Sequence, residues 1–167
     1  MRSTALLCLT FFAAAILTGC GGPKTQLVQE DAVVFRSYRR IGIQKFADTR
    51  GKGQEIADAF DARLQEANYE PVDQKALAKL LTSSKPDRDL GYGIETLEQI
   101  RSQTGAEVLI IGRTNPTWSA VTVSMAELST GAPILRAVLR PRGHGKKTFA
   151  TPAEIAEEFF RVYVKLR

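Results

Sequence analysis

With 167 residues, 44% of them hydrophobic and 25% charged, the chain is long enough to bury a real core as one domain and too mixed in composition for a fibrous or disordered protein. Its 23 basic residues against 18 acidic ones give a formal charge of +5, a mild excess that does not by itself imply nucleic acid. Only Cys8 and Cys20 are present, both near the N-terminus, so beyond them there is no disulfide framework, thiol nucleophile or cysteine metal ligand.

The N-terminus carries Arg2, an apolar run from Ala5 to Leu17, and then Leu17-Thr18-Gly19-Cys20. A charged start, a short apolar middle and a small-residue site make a secretory signal, and the run is too short to span a bilayer comfortably. Ending in cysteine, the site resembles the lipobox of bacterial lipoproteins. That resemblance implies cleavage before Cys20, a diacylglycerol thioether on its sulfur and an acyl chain on its new amino group. Several acyl chains give stable membrane attachment where one is marginal. Residues 1–19 are therefore expected to be the signal peptide, 20–32 the lipidated cysteine and a polar tether, and 33–167 a periplasmic domain. Gly21 stands where an aspartate would signal inner-membrane retention in enteric bacteria, which points to the outer membrane. A protein there does not meet nucleic acid.

Strand character runs from Val33 to Phe46, with Ile41, Ile43 and Phe46 apolar, and breaks at Gly51-Lys52-Gly53. From Gln54 to Asn68 the period becomes helical, with Ile56, Phe60, Leu64 and Ala67 on one face. Tyr69–Val72 reads as a short strand, Gln74–Leu81 as a short helix, Thr82–Gly93 as a loop, and Ile94–Thr104 as a helix closed by Gly105. Val108-Leu109-Ile110-Ile111 is continuously apolar, as in a strand covered on both faces. A strand from about Thr117 to Leu128 turns at Ser129-Thr130-Gly131 and returns over Ile134–Arg140 as a hairpin. The last helix begins at Thr151-Pro152 with Glu154 three residues after the cap, and carries Ile155, Phe159, Val162 and Leu166 on its apolar stripe. This order predicts an α/β fold, a single mixed sheet with helices packed on it.

Catalytic chemistry has little to work with. His144 is the sole histidine and sits in a basic glycine loop, a poor mount for a triad and insufficient for a zinc site. Gly145-Lys146-Lys147-Thr148 lacks the spacing of a phosphate-binding loop. The pairs Asp58/Asp61 and Glu157/Glu158 are expected on solvated helix exteriors. No catalytic residue, metal ligand or cofactor site is assigned. The basic run Arg136, Arg140, Arg142, Lys146 and Lys147 has no acidic residue between Glu127 and Glu154. Its two readings are a solvated face and an electrostatic contact with phosphate headgroups, an acidic polymer or a neighbouring subunit. Trp118, the single tryptophan, either caps the core or offers an aromatic contact to membrane or partner.

Several strings in this order resemble the CsgG, LpoB and TolB N-terminal-like superfamily. They are Arg40-Ile41-Gly42-Ile43-Gln44-Lys45-Phe46-Ala47-Asp48, Tyr69-Glu70-Pro71-Val72-Asp73, Leu97–Ile100 with Thr104–Gly112, and Val121–Gly131. Glu107 departs from the family's usual aspartate, and nothing matches the transmembrane hairpins of a CsgG pore. The resemblance implies a CsgG/TolB-N-like sandwich covering about Arg40 to Arg167. For a lipoprotein of this size it implies a non-catalytic periplasmic scaffold, like the PelC-like lipoproteins that form rings guiding an exopolysaccharide to an outer-membrane porin. The implied partners are the outer membrane, further copies of the chain, and the porin or polysaccharide. The alternative is an LpoB-like adaptor that activates a penicillin-binding protein.

Overall fold

The computed structural model describes residues 26–29, 38–82 and 92–164. The expected signal peptide, Cys20 and Gly21, residues 33–37 of the expected first strand, and Leu166 of the last helix lie outside these.

Ten elements follow one another along the described chain: β1 (Gln26–Gln29), β2 (Arg40–Ile43), α1 (Gly53–Glu66), β3 (Glu70–Pro71), α2 (Gln74–Thr82), α3 (Ile94–Thr104), β4 (Val108–Thr114), β5 (Val121–Glu127), β6 (Pro133–Leu139) and α4 (Pro152–Val164). The strands form a single mixed sheet in the order β1-β6-β5-β4-β2-β3. β2 runs parallel to both β3 and β4, while β4, β5, β6 and β1 are antiparallel in succession. The fold class is α/β with helices packed on one sheet, as the element order predicts. β1 falls within the stretch 20–32 read as tether: four of its residues join the sheet edge, with Gln26 opposite Val138 and Gln29 opposite Arg136.

Connection handedness accounts for where the helices go. The chain leaves β2 for the neighbouring parallel β3 through α1, then turns back across the sheet to β4 through α2 and α3. Two right-handed crossovers in opposite directions must use opposite faces. Accordingly Ile56, Phe60 and Leu64 of α1 share one core with Ile41, Ile43, Val108 and Ile110. Leu77 of α2 and Leu97 and Ile100 of α3 share the other with Leu109 and Leu128. The unbroken apolar run of β4 thus splits by strand alternation between two cores, which is why it carries no polar position.

α4 returns to the first face beside α1. The rings of Phe46, Phe60, Phe159 and Phe160 meet there with centroids 4.9–5.8 Å apart. The helix ends are locally encoded. Asn68, with φ 61°, ends α1, and the Tyr69 N–H returns to the Leu64 carbonyl at 2.9 Å. Gly105, with φ 69°, closes α3 as its position predicts. At α4 the Thr151 hydroxyl accepts from the Glu154 N–H at 3.3 Å, while the Glu154 carboxylate accepts from the Ala150 N–H at 3.0 Å.

Candidate interaction surface

Trp118 sits at φ 60° in the turn between β4 and β5, and its side is decided by Asp48. The indole N–H donates to Asp48 Oδ1 at 2.7 Å, and the ring is only 3% exposed, inside the α1/α4 core. The Arg50 guanidinium lies 4.9 Å from the ring centroid and donates through Nε to the Pro116 carbonyl at 3.0 Å. Of the two readings of Trp118, the structure shows the core cap. The exposed indole that a membrane or partner contact needs is not found.

The same carboxylate also takes the Thr114 hydroxyl at 2.5 Å and the Lys52 and Arg50 amides at 2.8 and 3.1 Å. Burial pushes the Asp48 carboxyl up, but these hydrogen bonds outweigh it and hold it below the ordinary aspartate value. The backbone donors of the Arg50–Lys52 turn, which an external anion would use, are thereby turned onto a carboxylate of the chain itself.

The basic run does not form one patch. Arg142 reaches Glu158 at 3.3 Å and Lys146 reaches Glu154 at 2.8 Å, both on α4. Lys147 and His144 are exposed on the loop between β6 and α4, and Arg140 is half-buried and engaged. Glu158, expected on a helix exterior, is instead buried, its side chain 7% exposed. Arg161 grips both its oxygens, at 2.6 and 3.1 Å. A cleft between the loop and α4 is lined by these paired charges and by Phe149. Only Arg136 of the five stands on an open strand face, and it has no partner among the described residues.

Strand alternation places a second residue beside it. Beyond α2 and α3, the face of the sheet that carries Leu109 continues through Ile111 and Arg113 on β4, Thr122 and Ser124 on β5, and Arg136 and Val138 on β6. Ser124 pairs with both Ile111 and Arg136, and Thr122 with both Arg113 and Val138. These side chains are half-buried or exposed, whereas Val121, Val123, Ala137 and Leu139 on the opposite face are fully buried. Arg113 is exposed and, like Arg136, unpaired among the described residues. The apolar run hid it: Gly112-Arg113 reads as the end of a strand, and only its register with Thr122 shows that it shares a face with Arg136.

Acidic residues gather at the other end of the sheet. Asp58 and Asp61 on α1 and Asp73 at the start of α2 stand close enough for Asp61 to feel both. Gln54 joins the group by bonding Asp58 at 2.9 Å and Gln74 of α2. Burial above all, and then Asp58 and Asp73, raise the Asp61 carboxyl, with a bond from Gln65 working against them. Asp61 Oδ1 is buried without a partner among the described residues. Glu107 accepts from the Arg39 and Arg40 amides through one carboxylate oxygen, at 2.6 and 3.0 Å.

A mixed sheet with α1 and α4 on one side, α2 and α3 on the other, and a β5–β6 half-face that no described helix covers is the arrangement to set beside known structures. The fold is similar to that of PelC. A variant of the PelC dodecamer from Paraburkholderia phytofirmans superposes with a TM-score of 0.53 at 12% identity, over 86% of this chain and 99% of that one. A second PelC dodecamer structure from the same organism gives 0.50 at 12% identity, covering 86% and 95%. Lipoprotein GNA1162 from Neisseria meningitidis gives 0.50 at 10% identity, covering 75% and 96%. No protein-family model matches the sequence, and no curated protein matches it. These likenesses establish a shared fold with PelC; they do not establish the wider CsgG, LpoB and TolB superfamily that the sequence strings suggest.

Proposed function

We propose that the chain is a non-catalytic lipoprotein of the bacterial outer membrane, anchored through Cys20, that assembles with copies of itself as a PelC-like scaffold in envelope export. In this reading it helps guide an exopolysaccharide to an outer-membrane porin. The observation that carries it is the span of the likeness: 99% of a PelC chain is matched, so the shared unit is a whole subunit. The lipobox-like Leu17-Thr18-Gly19-Cys20 supports the anchor. Because fold alone does not fix function, assembly is the property to test.

Light scattering on a sizing column gives the mass of the full-length, detergent-solubilised lipoprotein. A discrete high-order oligomer supports the scaffold. A monomer overturns it and puts the wall-synthase adaptor first. Separately, Cys20→Ala is expected to move the protein from the membrane fraction to the soluble one; retention in the membrane would overturn the lipid anchor.

A further inference from the structure

Two unpaired charge groups lie at opposite ends of the sheet and on opposite faces of it. Arg113 and Arg136 stand on the half-face of β4, β5 and β6 that no described helix covers, on the side of α2 and α3. Asp58 and Asp61 ride on α1, on the other side of the sheet, with Asp73 next to the β3 edge. Neither arginine has an ion pair among the described residues, and no described cation pairs with the three aspartates. Five ion pairs stand among the described residues, Arg63–Glu66, Lys146–Glu154 and Arg161–Glu158 among them, and none includes a member of either group. The two groups cannot reach each other within one molecule, because the sheet and its helices stand between them.

We propose that the open half-face bearing Arg113 and Arg136 is the docking surface for a second copy of this chain, which presents its Asp58, Asp61 and Asp73 edge to it. The contact is heterologous: each subunit offers a basic face to one neighbour and an acidic edge to the other. Such a head-to-tail contact closes into a ring when its rotation permits, whereas a two-fold contact would set arginine against arginine. The small Thr122 and Ser124 between the two arginines let a neighbouring helix approach the strands closely. Docking would also desolvate the guanidinium groups against carboxylates, which strengthens their attraction. An acidic partner of another kind would fit the basic half-face alone but would leave the acidic edge unexplained; a second copy accounts for both.

This inference rests on the reading of the protein as an oligomer subunit, and the experiment separates the two. Three full-length lipoproteins are compared in detergent by light scattering, with circular dichroism confirming their fold: the unaltered chain, the double variant Arg113→Glu/Arg136→Glu, and the double variant Asp58→Lys/Asp61→Asn. The unaltered chain is expected to be a discrete oligomer. The first variant sets carboxylates against carboxylates, and the second places a lysine against the arginines and leaves Asp73 as the edge's one carboxylate; each is expected to run as a monomer, with association weakened at least ~100-fold. Mixing the two variants makes both contacts complementary again and should restore an oligomer of the original mass.

An oligomer that survives Arg113→Glu/Arg136→Glu overturns the interface and leaves the scaffold reading standing. Loss of assembly in each variant without restoration on mixing also overturns the proposed pairing. A monomeric unaltered chain removes the scaffold reading and the interface with it.

Discussion

The ring of Phe46 fills the space in which Gly112 has no side chain: a Cβ at 112 would fall inside the ring. Phe46 ends the run that follows β2, and Gly112 lies on β4, bridged to that segment by the Ala47 N–H bond to the Gly112 carbonyl at 2.9 Å. Gly112→Ala must therefore displace a fully buried aromatic that packs on Phe60 at 4.9 Å. It is expected to destabilise the fold by about 2–4 kcal/mol, toward the upper end of overpacking because the neighbour is a rigid ring rather than a flexible chain end. Urea denaturation followed by circular dichroism measures the shift. A midpoint within error of the unaltered protein would contradict the packing described.

Asp48→Asn keeps the shape of the group that ties Trp118 to the β2–α1 loop but removes its charge. One end of the amide becomes a donor facing other donors, either the Arg50 and Lys52 amides or the Thr114 and Trp118 donors. A loss of about 1–3 kcal/mol is expected. Because Trp118 is the only tryptophan, its fluorescence reports this site alone. Asp48→Ala removes both oxygens, so its emission should move to the red as the indole N–H loses its partner, and an unchanged spectrum in that variant would show that Asp48 does not hold the ring.

The carboxyls predict an acid response with two opposing parts. Asp48 is held low by its hydrogen bonds against burial; Glu107 by the Arg40 and Arg39 amides; Glu127 by the Thr130 and Tyr38 hydroxyls; Glu154 by Lys146 and the Ala150 amide. For each, the folded pKa lies below the unfolded one. Their stabilisation is complete above the ordinary carboxylate range and disappears as pH falls through the folded values. Asp61 is raised, mainly by burial, so its share has the reverse sign: it favours the fold below the unfolded pKa and is lost as pH rises through the folded one. Asp61→Asn should consequently stabilise the protein at neutral pH and should make no difference below the carboxylate range. Equal effects at both pH values would contradict the assignment.

Glu158→Gln tests the pinning of the β6–α4 loop. The substitution leaves the Arg161 fork and Arg142 without their carboxylate at a buried position. Lys146 remains tied to Glu154. The expected cost is about 1–3 kcal/mol. The more specific sign is tryptic cleavage in the 142–147 segment at least ~5-fold faster than in the unaltered protein, because opening of a loop governs proteolysis there. Unchanged cleavage would mean that the loop is held from elsewhere.

Much of this architecture is written locally in the chain. The apolar run Val108–Ile111 identifies a strand covered on both sides, and it serves two cores. Gly105 after Thr104 marks the end of α3, and Thr151-Pro152 with Glu154 marks the start of α4. What the sequence hides is what pairs across it. Arg142 and Lys146 read as part of a free basic run because their carboxylates, Glu158 and Glu154, sit on the following helix. Trp118 reads as available because its partner Asp48 is 70 positions away. Arg113 and Arg136 belong together only through a register that neither strand states alone. β1 carries two glutamines and a turn-rich approach, with no strong strand period, and takes its place by pairing with β6.

That pairing fixes how far the domain can stray. If Cys20 carries lipid, as proposed, five residues would separate the bilayer surface from Gln26 at the sheet edge, a leash of at most about 20 Å even when fully stretched. The domain would then be moored close to the headgroups by the flank that contains β1 and β6. Neighbouring subunits held in that way would already share a height and a tilt before they touch. Their encounters would be confined to a plane, where a weak contact between basic face and acidic edge is reinforced by the high local concentration that a common surface provides.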